Sequence, residues 1–99
     1  MADPTNEDNL RSIRAKAYAV FRKAGCTIET SYTGMIRGWK NWTRGVSVVY
    51  SRDRTYVTSH YDIRSEHAGD IGRALAALRA AGWTVNDDGG IVALPGSPA

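Results

Sequence analysis

His60, Asp62, Glu66, His67 and Asp70 fall within eleven residues, and imidazoles among carboxylates at such spacing are the raw material of a metal site or a general acid/base pair. His60 and Asp62 would share one face of an extended segment, with His67 a short connection later. A surface or capping position for His67 and a sheet-face position for His60 explain the same residues without chemistry. Cys26 is the only cysteine, which excludes an intramolecular disulfide and a multi-cysteine zinc site. It follows the Gly25 that closes an apolar helical pattern. A helix C-terminus is the wrong end of the dipole to activate a thiol, so a small buried residue is expected. No phosphate loop, dinucleotide fingerprint, zincin motif or nucleophile elbow occurs. The turn at 86–90 has two acids and two glycines, too few ligands for an EF-hand loop. The expectation is a protein without catalysis, cofactor or metal.

A different chemistry is suggested by Met35-Ile36-Arg37-Gly38-Trp39-Lys40-Asn41-Trp42-Thr43-Arg44-Gly45, where two tryptophans and three cations run together. Guanidinium and ammonium groups neutralise phosphates with release of counterions, and an indole offers a platform for an unstacked base. Trp39 and Trp42 are three apart, so an extended segment sends them to opposite faces, one buried and one exposed. Arg37, Lys40, Arg44, Arg52, Arg54 and Tyr56 complete the expected rim of cations around an aromatic. Tryptophan and arginine also anchor protein interfaces, so the same residues fit a protein partner.

Charge is distributed unevenly. Residues 1–30 hold five cations and four acids, 31–64 six and two, and 65–99 two and four, within a net charge of +3. Such asymmetry bears on the sign of a partner. Ninety-nine residues make one domain with one core. Residues 1–8 and 95–99 are expected to be flexible ends and 9–94 a single domain. Asp3, Glu7 and Asp8 stand where a signal peptide would need a basic start, and no apolar run approaches membrane-spanning length. With a lone cysteine, this predicts a cytoplasmic location.

Positioning these groups requires the following elements. Leu10, Ile13, Ala17, Val20, Phe21 and Ala24 share a helical face, with Thr5 and Asp8 as a capping signal and Gly25 as the stop. Strands are expected over 26–32, 35–39, 46–50 and 55–61, the last two forming a hairpin through Ser51-Arg52-Asp53-Arg54. Start signals over 65–70 precede a second helix with Ile71, Ala74, Leu75, Leu78 and Ala81, stopped by Gly82. A closing hairpin joins 83–85 to 91–94. The segments 15–29 and 72–86 superpose without gaps at an offset of 57, matching at Ala17/Ala74, Arg22/Arg79, Ala24/Ala81, Gly25/Gly82 and Thr27/Thr84. Any alanine-rich amphipathic helix stopped by glycine would give a similar match. The predicted class is α+β: an antiparallel sheet of five to six strands in the order α-β-β-β-β-α-β-β, both helices on one face and the other free for a partner.

The α-β-β-β-α part resembles double-stranded-RNA-binding domains in outline. Those domains place a lysine cluster at the start of the last helix, whereas Ser65-Glu66-His67-Ala68-Gly69-Asp70 is acidic here, so that phosphate grip is missing and the resemblance implies no membership. The functional expectation is a small non-catalytic binding module for an anionic partner, nucleic acid first. The alternative is a protein-protein interaction module of the phage or mobile-element type, an inhibitor or adaptor of a host protein. No membrane partner is expected, and a homodimer through a sheet edge or face is a further possibility.

Overall fold

The computed structural model describes residues 3–28, 30–36, 39–60 and 70–96. A short 3-10 turn, Glu7–Asn9, leads into α1, Leu10–Lys23. Ile13, Ala17 and Phe21, four residues apart, are completely buried, the stripe that an amphipathic helix turns inward. Asn6 rather than Thr5 caps the entry, its side chain accepting the Asp8 N–H at 2.9 Å. The Thr5 backbone N–H and hydroxyl instead donate to the Asp3 carboxylate at 2.9 and 2.7 Å. These two bonds, the backbone one foremost, hold that carboxyl below its usual range.

The second helix, α2, spans Asp70–Ala80 and buries Ala74, Leu75 and Leu78. Both helices end in the same way. Gly25 and Gly82 take φ of 80° and 93°, and their amides donate to the carbonyls of Arg22 and Arg79 at 3.1 and 3.0 Å. The next amides, of Cys26 and Trp83, reach back to Phe21 and Leu78 at 2.9 Å each. This is the Schellman closure, in which a left-handed residue lets the chain satisfy carbonyls that the helix leaves open. Every one of these partners is related by the offset of 57, so the repeat noted in the sequence is a repeat of helix, cap and buried strand entry.

Within α2, Gly72 is exposed, lies outside the positive-φ region, and a Cβ added there would meet nothing within 4 Å. Gly72→Ala is therefore expected to stabilise the fold by about 0.5–1 kcal/mol through the entropy of the unfolded chain. A rise in urea midpoint at unchanged slope would show it.

Among the described residues five strands form two antiparallel sheets rather than the single sheet predicted: β1 (Thr30–Ile36), β2 (Trp39–Ser51) and β3 (Arg54–His60) in one, β4 (Thr84–Val85) and β5 (Ile91–Ala93) in the other. Among the described residues three strands, not four, lie between the helices. The predicted strand at 46–50 lies within a longer β2, whereas of the predicted strand at 35–39 Met35 and Ile36 end β1 and Trp39 opens β2; β2 continues through Gly45 by changing partners. Residues 39–44 pair with β1, and residues 45–51 pair with β3. Gly45 carries φ of 99°, and a Cβ there would stand 2.7 to 2.8 Å from backbone atoms of Thr27 and Ile28. Ile28 forms a bridge to Val46, whose amide donates to the Thr27 carbonyl at 2.9 Å. Strand continuity here depends on a close backbone approach that only glycine allows.

The register Val48↔Val57 puts Val46, Val48, Val57 and Thr55 on one face. The three valines join Ile13, Phe21, Leu75, Leu78 and Trp83 in one apolar cluster, so both helices share that core. Thr55 is buried with its hydroxyl donating to the Pro4 carbonyl at 2.8 Å, which ties the chain before α1 to β3. Among the described residues no helix is long and apolar enough to cross a membrane.

Candidate functional site

The β2–β3 hairpin turns in two residues, since Ser51 pairs with Arg54. Arg52 and Asp53 both take positive φ, 54° and 62°, as a type I′ turn requires. Asn-Gly is the usual solution, and a side chain in this region costs about 1–2 kcal/mol per residue. The Tyr50 hydroxyl lies 3.1 Å from the Thr5 carbonyl and 3.3 Å from the Asp53 carboxylate. Desolvation first, then the Asp53 charge, raise the phenol above its ordinary range. Strain kept at an exposed turn is a feature of functional loops. Replacing Arg52-Asp53 by Asn-Gly should raise stability by about 1 kcal/mol or more, read as a higher unfolding midpoint. If the turn contacts a partner, the same variant binds more weakly while being more stable.

Three predicted residues meet beside this turn. Ser51, Arg52, Arg54 and Tyr56 line an open recess of about 310 Å³. The Arg54 guanidinium carbon sits 5.1 Å from the Tyr56 ring centroid, within cation–π range, and its Nη1 donates to the Asp88 carboxylate at 2.9 Å. Asp88 is held below the usual carboxylate range by the Gly90 N–H first and by Arg54 second. Both partners of the ion pair are about half exposed, so it contributes little stability. Its effect is to fix the guanidinium over the ring and to offset part of its charge, while Arg52 adds a second exposed cation at the tip.

Of the other predicted residues, Trp39, Lys40, Trp42 and Arg44 lie in the first half of β2. An extended strand rises about 3.3 Å per residue, which separates Trp39 from Arg52 by about 40 Å along the strand, in a molecule whose longest dimension is 48 Å. The residues expected to form one rim over 35–61 thus come from two stretches with different strand partners, 39–44 paired with β1 and 52–56 around the β2–β3 turn. Trp39 stands opposite Ile36, Trp42 opposite Tyr32 and Arg44 opposite Thr30, with Lys40 in the same stretch of β2. Arg37 lies outside the described residues. His60 ends β3 opposite Gly45 and Asp70 opens α2, while Asp62, Glu66 and His67 lie outside the described residues. Among the described residues no group of three potential metal ligands is found, and Cys26 is buried.

The face of β2–β3 away from the helices is less open than expected. Val49, Tyr56 and Thr58 are half-buried there and Ser47 is completely buried. Two strand edges are closed as well. The Val48 carbonyl accepts from Nε and Nη2 of Arg14 at 3.0 and 2.8 Å, and its amide donates to the Tyr18 hydroxyl at 3.2 Å. On β3 the Val57 amide donates to the Gly89 carbonyl at 2.8 Å, beside a Tyr56–Gly90 bridge. Capped edges resist chance strand pairing. β1 remains as the end strand of the three-stranded sheet, and Thr30–Ile36 carries no charged residue.

Sequence reasoning missed the helix layer. All five cations of residues 1–30 fall within α1 and none of the four acids does; summing by thirds of the chain concealed this, and summing by helix would have shown it. Comparison of the chain with protein-family models, curated proteins and solved structures finds no match.

Proposed function

We propose that the protein is a non-catalytic binding module for an anionic partner, with nucleic acid as the first choice. The supporting observation is the change of partner in β2. Before Gly45 this strand pairs with β1, so Trp39, Lys40, Trp42 and Arg44 belong to a two-stranded ribbon set apart from the β2–β3 hairpin. A ribbon of two strands has the width of a DNA major groove, and cations among aromatics suit phosphates and unstacked bases. The strained, exposed Arg52 at the opposite end of β2 would extend the contact along the backbone.

Fluorescence titration of the tryptophans with duplex DNA, single-stranded DNA and RNA at low and physiological salt tests this reading. A saturable change that weakens steeply with salt is expected. No change at low salt would refute it. A second reading, a protein-interaction module, is favoured by the uncharged end strand β1, which could accept a partner strand or a second copy by edge pairing. Such binding would show a shallow salt dependence, and light scattering would reveal a dimer.

A further inference from the structure

We propose that the groove between α1 and α2 is a docking site for an acidic amphipathic helix of a partner protein. Two apolar recesses, of about 410 and 450 Å³, adjoin one another, since Val20 and Ala81 line both, and together they make up the groove. The first is lined by Val20, Lys23 and Ala24 from α1 and by Ala77, Ala80 and Ala81 from α2 and its end. These are the same three positions of the repeat, each pair separated by 57 residues, so the groove is built by the two copies facing one another. The second runs on over Trp83, Leu94 and Pro95 and adds Lys16 to the rim.

The apolar stripe of α1 is wider than the core consumes. Ile13, Ala17 and Phe21 are buried, but Val20 is half-buried and Ala24 exposed; on α2, Ala77 is half-buried and Ala81 exposed. Small side chains on both walls allow the backbone of a third helix to approach, and such a helix is read by residues three and four apart. Charge selects the occupant. Lys16 and Lys23 stand seven residues apart, about 10 Å along the helix, at the rim of this apolar floor. Across the two helices there are seven cations and a single acid, Asp70 at the first position of α2. A second copy docking by this face would set like charges together, and an uncharged helix would leave the lysines without partners. A helix with an apolar stripe flanked by Glu or Asp satisfies both features. This inference is independent of the ribbon reading, since it uses none of the same residues.

The test is selection from a displayed library of short helical peptides with varied flanking charges, followed by affinity measurement. Enriched peptides should combine apolar residues at three- and four-residue spacing with acidic flanks. Ala81→Gln, which fills the shared wall from an exposed position, and the double variant Lys16→Glu with Lys23→Glu should each weaken binding about tenfold or more while the far-ultraviolet circular dichroism of the folded protein is retained. The reversed-charge protein should in turn select peptides with basic flanks. No enriched helix, enrichment of neutral or basic ones, or undiminished binding to these variants would overturn the proposal. So would duplex DNA binding, in place of peptide binding, that depends on the two lysines and ignores Ala81.

Discussion

Gly89→Ala is expected to lower the stability of the protein by about 3 kcal/mol or more, a fall in unfolding temperature of at least roughly 10 °C for a domain of this size. Two causes add. The residue has φ of 95°, where any L side chain costs about 1–2 kcal/mol. A Cβ would also collide with the Val57 carbonyl oxygen, a backbone atom fixed within β3. The collision can be relieved only by moving the 86–90 turn off β3, which strains the Gly89–Val57 hydrogen bond and the Arg54–Asp88 pair. Gly25→Ala supplies the control. Its φ is 80°, but nothing lies within 4 Å of an added Cβ, so only the conformational cost of about 1–2 kcal/mol applies. Chemical denaturation of both variants measures the difference, and equal losses would mean that the turn is not pressed against β3.

On the proposed nucleic-acid reading, replacing Arg37, Lys40 and Arg44 together by alanine should produce the largest loss of binding. Each phosphate neutralised contributes about 0.9 to the slope of log affinity against log salt for duplex DNA. Three lost contacts would therefore flatten the slope by about 2.7, with affinity at low salt falling by an order of magnitude or more. The loss should be similar for unrelated sequences, because phosphate contacts carry no sequence information. Far-ultraviolet circular dichroism of the variant would establish that its fold is intact. An unchanged salt slope would remove the ribbon from the binding site and leave the helix layer, with the five cations of α1, as the remaining basic surface.

Much of the helical architecture was legible because its causes are local. Ile13, Ala17 and Phe21 recur every four residues, and Gly25 and Gly82 end their helices by a conformation that glycine adopts at little cost. The β2–β3 hairpin was legible for the same reason, with alternating residues on both sides of a short polar turn. Alternation alone left two choices for which residues of β3 share a face with Ser47 and Val49. The register Ser47↔Thr58 decided for Tyr56 and Thr58. The extension of β2 back through Gly45 to Trp39, with its change of partner, was not legible, because Gly45 is packed against the backbone of Thr27 and Ile28, a contact outside any local pattern.

The candidate site shows the same division. Residue types marked Arg52, Arg54 and Tyr56 as a possible cluster, and two-residue periodicity suffices to bring them together around one turn. The pairing of Arg54 with Asp88, 34 residues away, changes how much of that charge is available, and no local pattern announces it. The closure of the Val48 edge by Arg14 and Tyr18 belongs to the same class, since the partners are 34 and 30 residues apart.

By itself the sequence determined which segments are amphipathic, where they stop and what charge each carries, because these follow from side-chain chemistry and backbone preference within a few residues. Only the tertiary structure decided that residues 39–44 pair with β1 while 45–51 pair with β3, that two strand edges are closed, and that the repeated helices flank an apolar groove. Those outcomes depend on which distant backbone groups find one another, and burial of a common core, rather than any local preference, selects among the pairings that the sequence allows.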